Sequence, residues 1–202
     1  IYSWMSHRRW IGLTRTASVV GLASFAVVTV GASPECALSS FFNVWVYNGL
    51  MVLACVVVAS RALLVAEERS AWVAFTVATA SWTFGEIWYA AAQPESYPSL
   101  ADLGFLGFYP LVYLGMVALI RSHADRIRGT LWLDGVTASL AAAAVGAAVL
   151  FELVLVTTEG SPATVATNLA YPLGDVLLLS AVVGVFSLSR WRPGLRWSVI
   201  GA

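Results

Sequence analysis

The chain has 202 residues, 59% of them hydrophobic and 11% charged, with a mean hydropathy of +0.81 and no net charge. A soluble domain of this composition would carry more apolar surface than it could bury, so the sequence reads as an all-α, polytopic membrane protein. All eleven positive side chains are arginines, so the sidedness of charge is more informative than its sum.

A transmembrane helix needs about 20 mostly apolar residues. Six stretches meet that need in chain order: Ile11–Ala32, Phe41–Leu63, Ala71–Ala92, Leu103–Ile120, Leu131–Val156 and Thr167–Leu188. Arg8, Arg9 and Arg15 lie at the start of the first, and Arg61 and Arg69 separate the second from the third. Arg121, Arg126 and Arg128 separate the fourth from the fifth, and Arg190, Arg192 and Arg196 follow the sixth. The intervening turns around Pro34–Glu35, Gln93–Asp102 and Glu159–Pro162 carry acids and no basic residue. Short arginine-rich loops stay on the cytoplasmic side, which predicts a cytoplasmic amino end and acidic turns outside the plasma (inner) membrane.

Trp197–Ala202 begins apolar after the last cluster, and the chain opens on Ile1 rather than Met. The expectation is a fragment holding six full transmembrane helices plus the start of a seventh, with an eighth returning the parent chain to the cytoplasm. The first segment lacks a convincing cleavage site, which argues against a signal peptide. Cys36 falls in an outer turn and Cys55 roughly 20 Å deeper at 1.5 Å per residue, too far apart for a disulfide.

Several chemistries are excluded at this stage. The chain contains no lysine for a retinal Schiff base, and its two histidines, His7 and His123, both fall in cytoplasmic segments, away from any haem or copper held between helices. There is no Gly-rich phosphate loop, no CxxC pair and no Ser–His–acid set, so catalytic residues are not expected and the fragment itself needs no cofactor. No nucleic-acid partner is expected.

Intramembrane carboxylates are costly and normally face a bundle interior or wet cavity. Glu86 lies in the third stretch, Asp175 in the sixth, and Asp102 at the mouth of the fourth; Glu152 and Asp134 sit near the two ends of the fifth. Tyr171 and Asp175 are four apart and Glu86 and Tyr89 three apart, which puts each pair on one helix face. Tyr109 lies at comparable depth, and Trp82 stands four residues before Glu86. One reading is an outward-open pocket of Glu86, Asp102, Asp175, Trp82, Tyr89, Tyr109 and Tyr171 for a proton, a metal ion or a cationic ligand, the metal unspecified. The other is local: Ser99 and Asp102 have capping-box spacing, Glu152 reaches interfacial water, and Glu86 and Asp175 bond to neighbouring helices.

Most tryptophans read as interface anchors, among them Trp10, Trp72, Trp132, Trp191 and Trp197 beside the arginine clusters. Pro110 and Pro172 interrupt apolar stretches and are the hinge candidates. Ala141–Ala148, with Gly146, offers small residues for close helix approach. Phe108-Tyr109-Pro110-Leu111 and Ala170-Tyr171-Pro172-Leu173 form a weak repeat, each followed by an inward run and an arginine turn.

The run Pro98-Ser99-Leu100-Ala101-Asp102-Leu103-Gly104-Phe105-Leu106-Gly107-Phe108-Tyr109-Pro110-Leu111, then Leu133-Asp134-Gly135, then Ala170-Tyr171-Pro172-Leu173-Gly174-Asp175, resembles the multi-pass amino-terminal region of actinobacterial cyclic di-GMP signalling proteins. The likeness spans Ser81 to Arg196. It implies a transmembrane sensory or regulatory domain over residues 1–202, followed by cytoplasmic GGDEF and EAL modules that make and degrade cyclic di-GMP. It also implies GTP and Mg2+ for that catalytic region and a homodimer, since GGDEF catalysis joins two substrate-bound domains. The lipid bilayer and a small ligand or ion from the outer side complete the expected partners. A transporter subunit that binds a coupling ion at Glu86 and Asp175, and a purely structural anchor, remain as alternatives.

Overall fold

The computed structural model describes the backbone of residues 2–31, 36–122, 129–157 and 160–188, and side chains within 16–31, 36–122, 133–148 and 160–187. The expectations for His7, Arg8, Arg9, Trp10, Arg15, His123, Trp132 and Glu152 lie outside the described residues or side chains. So do those for the Pro34–Glu35 turn, Arg126, Arg128, Glu159, and everything from Arg190 through Trp197–Ala202.

The described residues form six helices and no strand: α1 Tyr2–Gly31, α2 Ala37–Leu64, α3 Arg69–Ala92, α4 Leu100–Arg121, α5 Gly129–Thr157 and α6 Pro162–Leu188. Three of them, α2, α4 and α6, are long and apolar enough to cross a membrane, which makes the chain a membrane protein by length and composition. The run Ser81-Trp82-Thr83 and Glu86 dilute the hydropathy of α3, and the apolar parts described in α1 and α5 are the shorter Thr16–Gly31 and Leu133–Ala148.

Neighbours in sequence pack as hairpins, α2 on α3, α3 on α4 and α5 on α6, while α4 also contacts α6 and α1 lies against α2. Glycine sets the closest approaches. A Cβ on Gly104 of α4 would lie 2.7 Å from the Ser81 carbonyl oxygen and 2.9 Å from the Gly85 amide nitrogen of α3. The two backbones therefore meet almost directly, and the Ser81 hydroxyl donates to the Gly104 carbonyl at 2.8 Å. Small residues permit this in a medium where packing, rather than water exclusion, holds helices together. On α5, Gly146 faces the Val176 side chain of α6, so the small-residue run does serve close packing.

Inside α2 the helix widens into a π turn at Phe42–Val46, immediately before Tyr47. Such turns insert a residue into the helical ladder and re-aim the side chains that follow. Both Pro110 and Pro172 lie within continuous helices. α3 ends where Gln93 takes a left-handed conformation, with φ of 41°.

At the α2–α3 turn, Trp72 is buried within the protein. It is 3% exposed, its indole Nε1 donates to Glu68 Oε2 at 2.8 Å, and the Arg61 guanidinium lies 4.5 Å from the centre of its ring. Glu68, 2% exposed, has its Oε2 4.0 Å from Arg61. Burying that carboxylate beside a turn draws in the nearest donor one helical turn away, which is Trp72.

Candidate functional site

Each of the three singled-out carboxylates accepts a hydrogen bond from a tyrosine on a different helix. Tyr47 of α2 donates to Glu86 Oε1 of α3 at 3.0 Å. Tyr171 of α6 donates to Asp102 Oδ1 of α4 at 2.6 Å, and Tyr109 of α4 donates to Asp175 Oδ1 of α6 at 2.7 Å. The last two pairs are reciprocal, since each of α4 and α6 supplies one acid and one phenol. Tyr113 of α4 adds a bond to the Gly174 carbonyl at 3.1 Å, and Tyr97, just before α4, donates to Asn168.

The order of these contacts gives the helix directions. Tyr97 with Asn168, Asp102 with Tyr171, and Tyr109 with Asp175 advance along α4 and α6 in the same sense, so the two helices run parallel. They carry the two Tyr-Pro-Leu copies, which thus face each other with exchanged partners. Gly174 makes the approach possible: a Cβ there would lie 2.7 Å from the Tyr109 ring.

Local chemistry places Asp102. Its Oδ2 accepts from the Ser99 amide at 2.6 Å and from the Ser99 hydroxyl at 3.1 Å, which completes the capping box at the start of α4. Its other oxygen stays available to Tyr171, so one buried carboxylate, 8% exposed, both caps a helix and ties it to α6. A phenol donating to a carboxylate is a charge-assisted bond, stronger than a neutral one. Three such bonds satisfy the acids without a cation, and the described arginines Arg61, Arg69 and Arg121 all sit at helix ends remote from them.

Trp82 joins these pairs laterally. Its Nε1 donates to the same Glu86 Oε1 at 3.2 Å, and its ring lies 5.0 Å from Phe105 and 5.3 Å from Phe108 of α4. Phe108 in turn lies 5.8 Å from the Tyr109 ring, and Tyr47 lies 5.8 Å from Phe25 of α1. A continuous line of rings and hydrogen bonds therefore runs from Phe25 through Tyr47, Glu86, Trp82, Phe108 and Tyr109 to Asp175, touching α1, α2, α3, α4 and α6.

Glu86, Asp102, Asp175, Trp82, Tyr109 and Tyr171 all belong to this arrangement, as linked pairs. Tyr89 does not join it; its side chain is 58% exposed, on the outer surface of α3. Tyr171 and Asp175 share a helix without bonding to each other. Tyr47 has no acid within a helical turn of it in sequence; it follows the π segment of α2 and bonds Glu86 on the neighbouring helix. Asp175 is exposed on the surface of α6 apart from its Tyr109 bond, and Asp134 is exposed near the start of α5. Among the described residues no group of three His, Cys, Asp or Glu side chains could hold a metal ion. Cys36 and Cys55 are free, and the Cys55 thiol faces the Thr76 carbonyl at 3.9 Å.

No family model, no curated protein and no solved structure matches this chain.

Proposed function

We propose that this chain is the membrane-embedded input region of a cyclic di-GMP turnover protein, converting an outer or intramembrane stimulus into a rearrangement of α4 and α6 that a cytoplasmic output region reads. In this reading all six helices span the membrane, the amino end is cytoplasmic, and two copies associate so that GTP- and Mg2+-dependent GGDEF domains meet. The observation that carries it is the pair of reciprocal Tyr–Asp bonds between α4 and α6, joined through Trp82 to Glu86. Each bond has two discrete states, made or broken, and a stimulus that favours one state shifts the population of the whole.

The sequence likeness from Ser81 to Arg196 supplies the output chemistry, and it is carried by the residues that make the bonds: Asp102, Tyr109, Tyr171 and Asp175. The test is Glu86→Gln and Asp175→Asn in the full-length protein, with cellular cyclic di-GMP followed by a fluorescent reporter. A coupling of 0.5–2 kcal/mol changes output by roughly 2- to 30-fold. Unchanged cyclic di-GMP with lost ion or substrate flux in vesicles would make the chain a transporter subunit, and no change in either would leave an anchor.

A further inference from the structure

Asp175 stands midway between Pro162 and Leu188, the two ends of α6. At 1.5 Å per residue each end is about 20 Å away, whereas half the hydrocarbon of a bilayer is only roughly 15 Å thick. In a helix long and apolar enough to cross a membrane, this carboxylate is therefore central, and its short side chain reaches neither surface.

Its two chain neighbours give its direction. Gly174 meets the Tyr109 ring of α4, and Val176 meets Gly146 of α5. Successive helix residues turn by about 100°, so Asp175 points between those contacts, onto a flank that neither α4 nor α5 covers, and it is exposed there. The Tyr109 hydroxyl reaches Oδ1, while Oδ2 has no hydrogen bond among the described residues. A phenol meets the need of one oxygen and leaves the charge uncompensated. Acids at such depth normally face a bundle interior or pair with an opposite charge. Asn168, Pro172 and Leu179 lie along the same flank, spaced four, three and four with Asp175, as in the seam that one helix presents to another. Leu179 is 54% exposed, and Asn168 and Pro172 are half-buried.

Neither this chain nor a second copy supplies a cation at that depth. The sequence has no lysine, and its arginines precede Thr16–Gly31, stand at the ends of α2, α3 and α4, or lie outside α5 and α6. We infer that this flank of α6 docks a transmembrane helix of a different protein, one that carries a lysine or arginine near its middle. The cation pairs with Asp175 Oδ2, and apolar side chains on either side of it cover Pro172 and Leu179. The straight stripe fits a helix face, and the central carboxylate selects a basic helix over a purely apolar one. This inference stands apart from the functional reading above, because association is measured with no reference to cyclic di-GMP.

Energy transfer in lipid vesicles, from donor-labelled full-length protein to acceptor-labelled host peptides, tests it. The hosts are polyleucine helices of about 22 residues with leucine or lysine at the centre. Saturable association about tenfold tighter for the lysine host is expected, toward the upper range of a polar contact between membrane helices. Asp175→Asn is expected to bring the lysine host down to the leucine host, and Asp175→Glu to keep the preference. Equal association of the two hosts, a preference that survives Asp175→Asn, or one lost from Asp175→Glu as well would each overturn the proposal. So would no saturable association of either host, since the flank would then be closed. Displacement of the lysine host by octylamine at equal mole fraction would make the occupant a small amine instead. A native dimer that Asp175→Asn splits, without lysine-host binding, would assign the flank to a second copy.

Discussion

Gly104→Ala tests whether the α3–α4 crossing depends on bare backbone. The new methyl would sit 2.7 Å from the Ser81 carbonyl oxygen and 2.9 Å from the Gly85 amide nitrogen. Both obstacles are main-chain atoms within a helix, so no rotamer change relieves them and the helices must part. Moving from 2.7 Å to the 3.4 Å of ordinary contact requires about 0.7 Å, a gap that forfeits roughly a quarter to a half of each dispersion contact it opens. Overpacking costs about 1–3 kcal/mol and the weakened Ser81–Gly104 bond about 0.6 kcal/mol, while alanine regains about 1 kcal/mol of helix propensity. The net loss is about 0.6–2.6 kcal/mol. Gly49→Ala is the control, because nothing surrounds it and propensity alone should stabilise it by up to about 1 kcal/mol. Reversible unfolding in mixed micelles, followed by circular dichroism, ranks the two. If Gly104→Ala proves as stable as Gly49→Ala, the close crossing is not what holds α3 to α4.

Double-mutant cycles on Tyr109→Phe with Asp175→Asn, and on Tyr171→Phe with Asp102→Asn, should each give a coupling of about 0.6–1.7 kcal/mol. The crossed combination Tyr109→Phe with Asp102→Asn should be additive within about 0.5 kcal/mol, and equal coupling in all three would dissolve the assigned pairs. Trp72→Phe removes the donor to buried Glu68 and should cost about 1 kcal/mol, whereas Tyr89→Phe on the exposed face should stay within about 0.5 kcal/mol, a contrast read from thermal midpoints in detergent. Burial, and after it the Asp102 carboxylate, hold the Tyr97 phenol above the ordinary tyrosine range. The native state then keeps this proton more tightly than the unfolded chain, so the stability it lends is complete below the unfolded pKa of about 10 and drains away as pH rises beyond it. Tyr97→Phe should flatten the fall in stability above that pH, and an unaltered slope would remove Tyr97 from the account.

Composition and arginine spacing were enough to read an all-helical chain, and five of the six anticipated stretches fall wholly within the observed helices α2 to α6. The first, Ile11–Ala32, lies in α1 as far as Gly31, and Ala32 falls outside the described residues. The capping box at Ser99–Asp102 was legible because its chemistry is local. What lay beyond sequence was pairing across helices: Tyr171 and Asp175 share a face by spacing, yet their bonds go to Asp102 and Tyr109 on α4. Proximity in sequence also misdirected the reading of Glu86, whose phenol partner is Tyr47, thirty-nine residues upstream, and not Tyr89. Trp72 shows a third limit, since nothing in its neighbourhood signals that Glu68 would be buried and require its indole.

The exchanged bonds between α4 and α6 have a mechanical meaning. A rod held to its neighbour at a single point can spin or swing freely, but two attachments at different heights, about 6 Å apart along α6, remove both freedoms. While Tyr171–Asp102 and Tyr109–Asp175 are both intact, α6 neither slides nor turns against α4. Releasing one leaves the other as a pivot, and the same small displacement is then magnified at the end of the rod farthest from the surviving bond.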